Sequence, residues 1–180
     1  MLRKLLIIAC LTSTVTITFA QKKKKNKGKD AQATVTEAAA INYKEAGAPM
    51  PAVRLVTKQK SAIIDADIKH NGPTFVMLFN PTCEHCIETT NMIRKNEALF
   101  KNTKVVLLAT PNQIDNLQYF EDLTHYPQSK LLMVGVDSSG FIDRTYTYGS
   151  LPQLNIYDKN RKLVRTFNGP TIDSLKPYIE

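Results

Sequence analysis

Cysteine is scarce in this chain, with three in 180 residues, and tryptophan is absent altogether. Cys10 sits in an N-terminal apolar segment, which leaves Cys83 and Cys86 for the rest of the chain. One close pair does not make a disulfide-stapled scaffold. The loop it would close, Glu84-His85, is too short for a bridge to add much stability. A membrane-spanning run is also lacking. Leu5 to Phe19 is apolar with interspersed threonines, short of the ~20 apolar residues a comfortable transmembrane helix needs. No internal repeat is visible. The formal charge of +8 is concentrated at the N-terminus, and from Ala31 onward 16 basic residues face 15 acidic ones. A nucleic-acid binder carries its basic residues on the domain surface, so that class is set aside.

The N-terminus reads as an export signal. Arg3 and Lys4 give a basic start, the apolar stretch follows, and Thr18-Phe19-Ala20 offers small residues for cleavage. The signal is therefore placed at residues 1–20. The rival reading is an uncleaved anchor, because the lysines from Lys22 onward resist translocation. Ile7-Ile8-Ala9-Cys10 resembles a lipoprotein box loosely, but its apolar stretch is very short and runs on past it. Residues 21–46 form a linker, with Lys22, Lys23, Lys24, Lys25, Lys27 and Lys29 followed by an Ala/Thr/Gln-rich run. This lysine tail reads as a solvated leader. Its functional alternative is weak attraction to an anionic membrane or cell-wall surface.

Residues 47–180 suit one domain with one core. Gly47-Ala48-Pro49-Met50-Pro51 opens it without helix. Short strands are expected at Val53–Val56 and Ala62–Ile64. Thr74–Phe79 is too uniformly apolar to be an edge strand. A helix follows from Glu84 to about Phe100. A strand at Lys104–Ala109, a helix at Ile114–Leu123, a strand at Leu131–Val136 and a short helix at Phe141–Tyr148 come next. Leu154–Tyr157 and Lys162–Phe167 form a hairpin, and Ile172–Ile179 closes as a helix. Strands alternating with helices, then a hairpin and helix, imply an α/β fold with a mixed central sheet flanked by helices.

The chemistry concentrates in Cys83-Glu84-His85-Cys86, placed where the apolar strand ends and a helix begins. A cysteine at a helix N-terminus meets the positive end of the macrodipole and unpaired backbone N–H groups. Both favour thiolate over thiol and make a nucleophile. Cys86 lies one turn on, close enough to attack a mixed disulfide formed at Cys83. His85 adds positive charge beside the pair, which makes its disulfide more oxidising, and Glu84 acts in the opposite sense.

With these residues in hand, the chain resembles the thioredoxin-like superfamily. More narrowly it is similar to exported thiol–disulfide oxidoreductases of the TlpA/ResA type. The resemblance covers about Gly47 to Glu180. It rests on the Gly47-Ala48-Pro49-Met50-Pro51 opening and on Phe79-Asn80-Pro81-Thr82-Cys83-Glu84-His85-Cys86. Leu131 to Tyr148 fits the family's inserted strand and helix, ahead of the hairpin. Tyr148-Gly149-Ser150-Leu151-Pro152 puts Pro152 where the family has a cis-proline, with the Leu151 backbone facing substrate. The resemblance implies a reductase of protein disulfides in the periplasm or cell envelope. Its partners would be protein thiol/disulfide substrates and an upstream electron donor. It would be a monomer and use no cofactor beyond the Cys83–Cys86 disulfide. Two departures stand out. The family commonly has Trp before the first cysteine, where this chain has Thr82. Thioredoxins often carry a buried acid six residues before that cysteine, where this chain has Met77.

Three rival functions share these residues. Cys83, His85 and Cys86 are a ligand set for a soft metal such as Cu(I) or Zn, but three ligands in one turn are cramped and no fourth is obvious, so no metal is assigned. A thiol peroxidase of the peroxiredoxin pattern wants Thr or Ser three residues before its cysteine, and Asn80 is there. A non-catalytic binding module on the same fold has no evident use for both cysteines. His70 and His125 read as surface loop residues, and Tyr146, Tyr148 and Tyr157 as packing.

Overall fold

The computed structural model describes residues 41–146 and 148–179. The signal and most of the linker fall outside the described residues. Among those described, no helix is long and apolar enough to cross a membrane.

Among the described residues, seven strands form one mixed sheet. In chain order they are β1 (Arg54–Val56), β2 (Ala62–Ile64), β3 (Thr74–Leu78), β4 (Lys104–Ala109), β5 (Leu132–Asp137), β6 (Gln153–Tyr157) and β7 (Leu163–Asn168). Their order across the sheet is β2-β1-β5-β4-β3-β6-β7. Strands β3, β4 and β5 are parallel, and β1, β6 and β7 run antiparallel to their neighbours. The strand expected in the Leu131–Tyr148 stretch is β5, seated between β1 and β4. Gly135 allows this seating, because a Cβ there would lie 2.5 Å from the Val56 carbonyl oxygen.

The parallel strands are apolar at nearly every position because both sheet faces are covered. Alternate side chains enter different cores. Phe75, Met77, Val105, Leu107, Leu154 and Ile156 pack with α2 (Glu84–Lys95), α3 (Leu117–Thr124) and α5 (Ile172–Leu175). Val76, Leu78, Val106, Leu108 and Tyr157 pack with the N-terminal segment, α1 (Asp65–Ile68) and α4 (Phe141–Thr145). Asp137, buried at the end of β5, starts α4: its carboxylate accepts the Ser139 and Ile142 N–H groups at 2.9 and 2.7 Å.

Several helices are shorter than the sequence predicts. The helix expected to reach Phe100 stops at Lys95, and a 3₁₀ turn covers Glu97–Leu99. Asn96 ends it: its side-chain amide donates to the Met92 carbonyl at 2.8 Å, in competition with the backbone ladder. The helix expected from Ile114 starts at Leu117, after a 3₁₀ segment Pro111–Asn116. It ends at His125 in the left-handed conformation, φ 49°. The closing helix becomes 3₁₀ over Lys176–Tyr178, where Pro177 supplies no N–H. Helix α1, a single turn, has no apolar periodicity to announce it.

Candidate active site

Strand β3 delivers the chain to the site. After Leu78 the Phe79 N–H makes one more bond to the Leu108 carbonyl, at 3.1 Å, and the chain leaves the sheet. Asn80-Pro81-Thr82 then folds into an Asx turn, in which the Asn80 side-chain oxygen accepts the Thr82 N–H and hydroxyl, both at 3.0 Å. The Cys83 N–H donates to the Asn80 carbonyl at 3.0 Å. This elbow makes Cys83 the N-cap of α2, with extended backbone (φ −81°, ψ 120°). Its carbonyl accepts the Cys86 and Ile87 N–H groups, both at 3.1 Å. The sequence reading of Cys83 as the helix-start residue holds.

The two thiols are unequal. Cys83 is half-buried, and its sulfur lies 3.9 Å from the Leu151 carbonyl oxygen. Cys86 is 0 % exposed and belongs to the same core cluster as Met77 and Phe79. Burial pushes the Cys86 thiol well above its ordinary range. Its contact with the Cys83 side chain adds to the rise, and the Asn80 backbone N–H opposes it. Met77, at the position where the resemblance led one to look for an acid, is fully buried and apolar. Thr90 donates its hydroxyl to the Cys86 carbonyl at 2.8 Å, which fixes the first turns of α2.

Leu151 and Pro152 reach the site from the other side. The Leu151–Pro152 peptide bond is cis. Pro152 is buried at the start of β6, and its carbonyl accepts the Gly169 N–H at 3.2 Å. Cys83, Cys86, Leu151 and Pro152 therefore come together from residues far apart in sequence. Glu84 and His85, the residues expected to modulate the pair, sit at the rim. Glu84 is exposed, and the His85 ring turns to Glu88, with Nδ1 3.2 Å from the carboxylate and the side chains 77 % and 65 % exposed. Among the described residues, no group of three His, Cys, Asp or Glu side chains is arranged to hold a metal.

A groove of ≈ 440 Å³ runs from this rim between α2 and the loop after β7, lined by His85, Glu88, Met92, Gly169, Pro170 and Ile172 among others. The sequence reading did not include this wall. Its signal was modest, since Gly169-Pro170 after a strand reads only as a turn. Gly169 is needed there for its φ of 65°.

No family model matches the chain, and none of the curated proteins does. Solved structures do match. The thioredoxin domain of a thiol-disulfide oxidoreductase from Bacteroides vulgatus superposes with a TM-score of 0.60 at 15% identity, over 74% of this chain and 94% of that one. A secreted Mycobacterium tuberculosis disulfide oxidoreductase homologous to E. coli DsbE gives 0.55 at 18% identity, over 70% and 92%. A thioredoxin-like protein from Aeropyrum pernix gives 0.57 at 11% identity, over 71% and 88%. With its mixed seven-stranded sheet and flanking helices, the chain has the thioredoxin-like fold.

Proposed function

We propose that the protein is a thiol–disulfide oxidoreductase working by dithiol/disulfide exchange through Cys83 and Cys86. The observation that carries this is the pairing of a half-exposed Cys83, at the start of α2 and beside the Leu151 carbonyl, with a buried Cys86 one turn on. In the reductive direction the Cys83 thiolate attacks a substrate disulfide, forms a mixed disulfide and releases one substrate thiolate. Cys86 then attacks the Cys83 sulfur. Its proton leaves, the second substrate thiolate departs, and the two electrons gained by the substrate leave a Cys83–Cys86 disulfide. The Leu151 backbone and the groove along α2 offer an extended substrate polypeptide its contacts.

The likeness to TlpA/ResA-type proteins favours a reductase of protein disulfides in the periplasm or cell envelope, recharged by an upstream electron donor. The apolar Met1–Ala20 segment supports export. Mass spectrometry under mild oxidation tests the redox pair. The expected product has lost two hydrogens, with no dimer and no alkylatable thiol at Cys83 or Cys86. Two thiols that stay alkylatable would rule the reading out.

A further inference from the structure

A surface cleft of ≈ 530 Å³ lies away from the thiols. It is lined by His70, Lys101, Lys104 and Lys130, together with Asn71, Gly72, Asn102 and Thr103, and by no carboxylate. Its position follows from the sheet. Strands β3, β4 and β5 are parallel. The cleft takes residues just before β3 and β5 and at the start of β4, whereas Cys83 follows the end of β3. A five-residue strand spans roughly 17 Å, so the cleft and the thiols mark opposite ends of the sheet.

From Ala31 onward this chain is nearly neutral, so three ammonium groups around one cleft are a local excess. Like charges brought together repel, and an anion seated among them relieves that cost. The cleft is held in shape. The His70 ring stands 3.0 Å from the Ile68 carbonyl, and 3.1 Å from those of Pro73 and Asn102, joining the two loops that form its walls. Lys104 donates to the Asp67 carbonyl, while the Asp67 carboxylate is turned to the Ile64 N–H at 2.8 Å. Lys101 and Lys130 are exposed. Next to the cleft, sharing Lys101 and Asn102, is an apolar shelf with Leu99, itself 45 % exposed, and Ile179.

We propose that this basic end docks on an anionic phospholipid surface and holds the Cys83–Cys86 end turned away from the membrane. Lysines are flexible point charges suited to mobile headgroups, and the exposed Leu99 supplies an apolar contact beside them. The sequence favours lipid over an acidic protein. The chain's other lysine cluster, Lys22 to Lys29, lies beyond the expected signal and stays with the chain after cleavage, and such a polybasic run is itself drawn to an anionic leaflet. Only the outward orientation of the thiols rests on the redox reading.

The test is lysine acylation footprinting by mass spectrometry. The full chain is bound to vesicles of phosphatidylcholine alone or with phosphatidylglycerol. Labelling of Lys101, Lys104 and Lys130 should be several-fold slower on the anionic vesicles, with Lys44 and Lys60 unchanged. Molar salt should abolish the difference, since screening is then nearly complete. In the Lys101→Gln, Lys130→Gln variant the affinity for the anionic vesicles should fall at least about fivefold, the effect of roughly one surface lysine, and most of the protection of Lys104 should be lost with it. Equal labelling on both vesicles overturns the docking. So does protection by inorganic phosphate but not by vesicles, which marks a small-anion site. Loss of protection only on replacing Lys22 to Lys25 by Gln would place the contact in the tail instead. Disulfide formation at Cys83–Cys86 is read separately in the same variant, so failure of the redox chemistry and failure of docking are told apart.

Discussion

The Leu151 carbonyl oxygen faces the Cys83 sulfur at 3.9 Å. The thiol that meets solvent is therefore also the one beside the Leu151 backbone carbonyl, and Cys86 is 0 % exposed. A substrate sulfur can approach Cys83 and cannot approach Cys86. The Cys86→Ser variant should accumulate mixed disulfides with partner proteins, and Cys83→Ser should not. Non-reducing electrophoresis followed by mass spectrometry reads the difference. Equal trapping by both variants would contradict the assignment of nucleophile and resolving thiol.

The His85 ring is directed at Glu88, at 3.2 Å. The carboxylate offsets the positive charge that the sequence reading assigned to His85. Glu88→Gln should thus raise the reduction potential of the pair, by less than about 30 mV because the residues are exposed and screened. His85→Pro should lower it, by a shift of similar order. Equilibration with glutathione measures both. A fall in potential on Glu88→Gln would show that the charges around α2 do not act on the pair in this sense.

The parts of the fold that were legible in the sequence are those with a strong local cause. Thr74 to Leu78 and Lys104 to Ala109 are apolar at almost every residue because both faces of the sheet are covered, and the sequence reading found both strands. The elbow was legible because Pro81 bars helix before Cys83 while the motif spacing demands helix after it. Pro152 was placed by resemblance, since nothing near it in sequence points to a cysteine 69 positions away. Three things escaped for the same physical reason. The stop at Asn96, the one-turn α1 and the groove wall at Gly169-Pro170 are fixed by single side-chain bonds or long-range contacts, and neither leaves a period in the sequence. The basic end escaped because Lys101 and Lys104 lie just before and at the start of β4 while Lys130 precedes β5, and only the parallel pairing of those strands brings them together.

Two glycines carry the seating of neighbouring segments. A Cβ on Gly135 would lie 2.5 Å from the Val56 carbonyl oxygen, and one on Gly72 would lie 1.8 Å from that of Asn102. Backbone cannot yield as a flexible side chain can. Gly135→Ala should push β1 from β5, and Gly72→Ala should separate the walls of the basic cleft. Each should cost about 1–3 kcal/mol, the usual cost of overpacking. Urea unfolding measures the loss. Gly149→Ala is the control, because nothing lies within 4 Å of its Cβ position. Equal stability of the three variants would show that the close approaches can relax.

Burial raises the Cys86 thiol, with the Cys83 contact adding to it, and this couples the stability of the reduced protein to pH. An unfolded cysteine loses its proton near pH ~8.5. Above that value the folded state holds a proton the unfolded state has released. Stability therefore falls as pH rises, by up to about 1.4 kcal/mol per pH unit for the one proton. Below that value the two states bind the same number and the slope from this group vanishes. Tyr126 and Tyr157, each pushed up to about 12, and Tyr146, raised further by burial, act in the same sense. Their contribution begins only above the ordinary tyrosine value of ~10. The window between about pH 8.5 and 10 thus isolates Cys86. Urea unfolding of the reduced protein across that window should show the decline, and Cys86→Ala should flatten it whatever its own stability. A decline that persists in Cys86→Ala would assign the linkage to another group and remove the evidence that Cys86 is held as a protonated thiol.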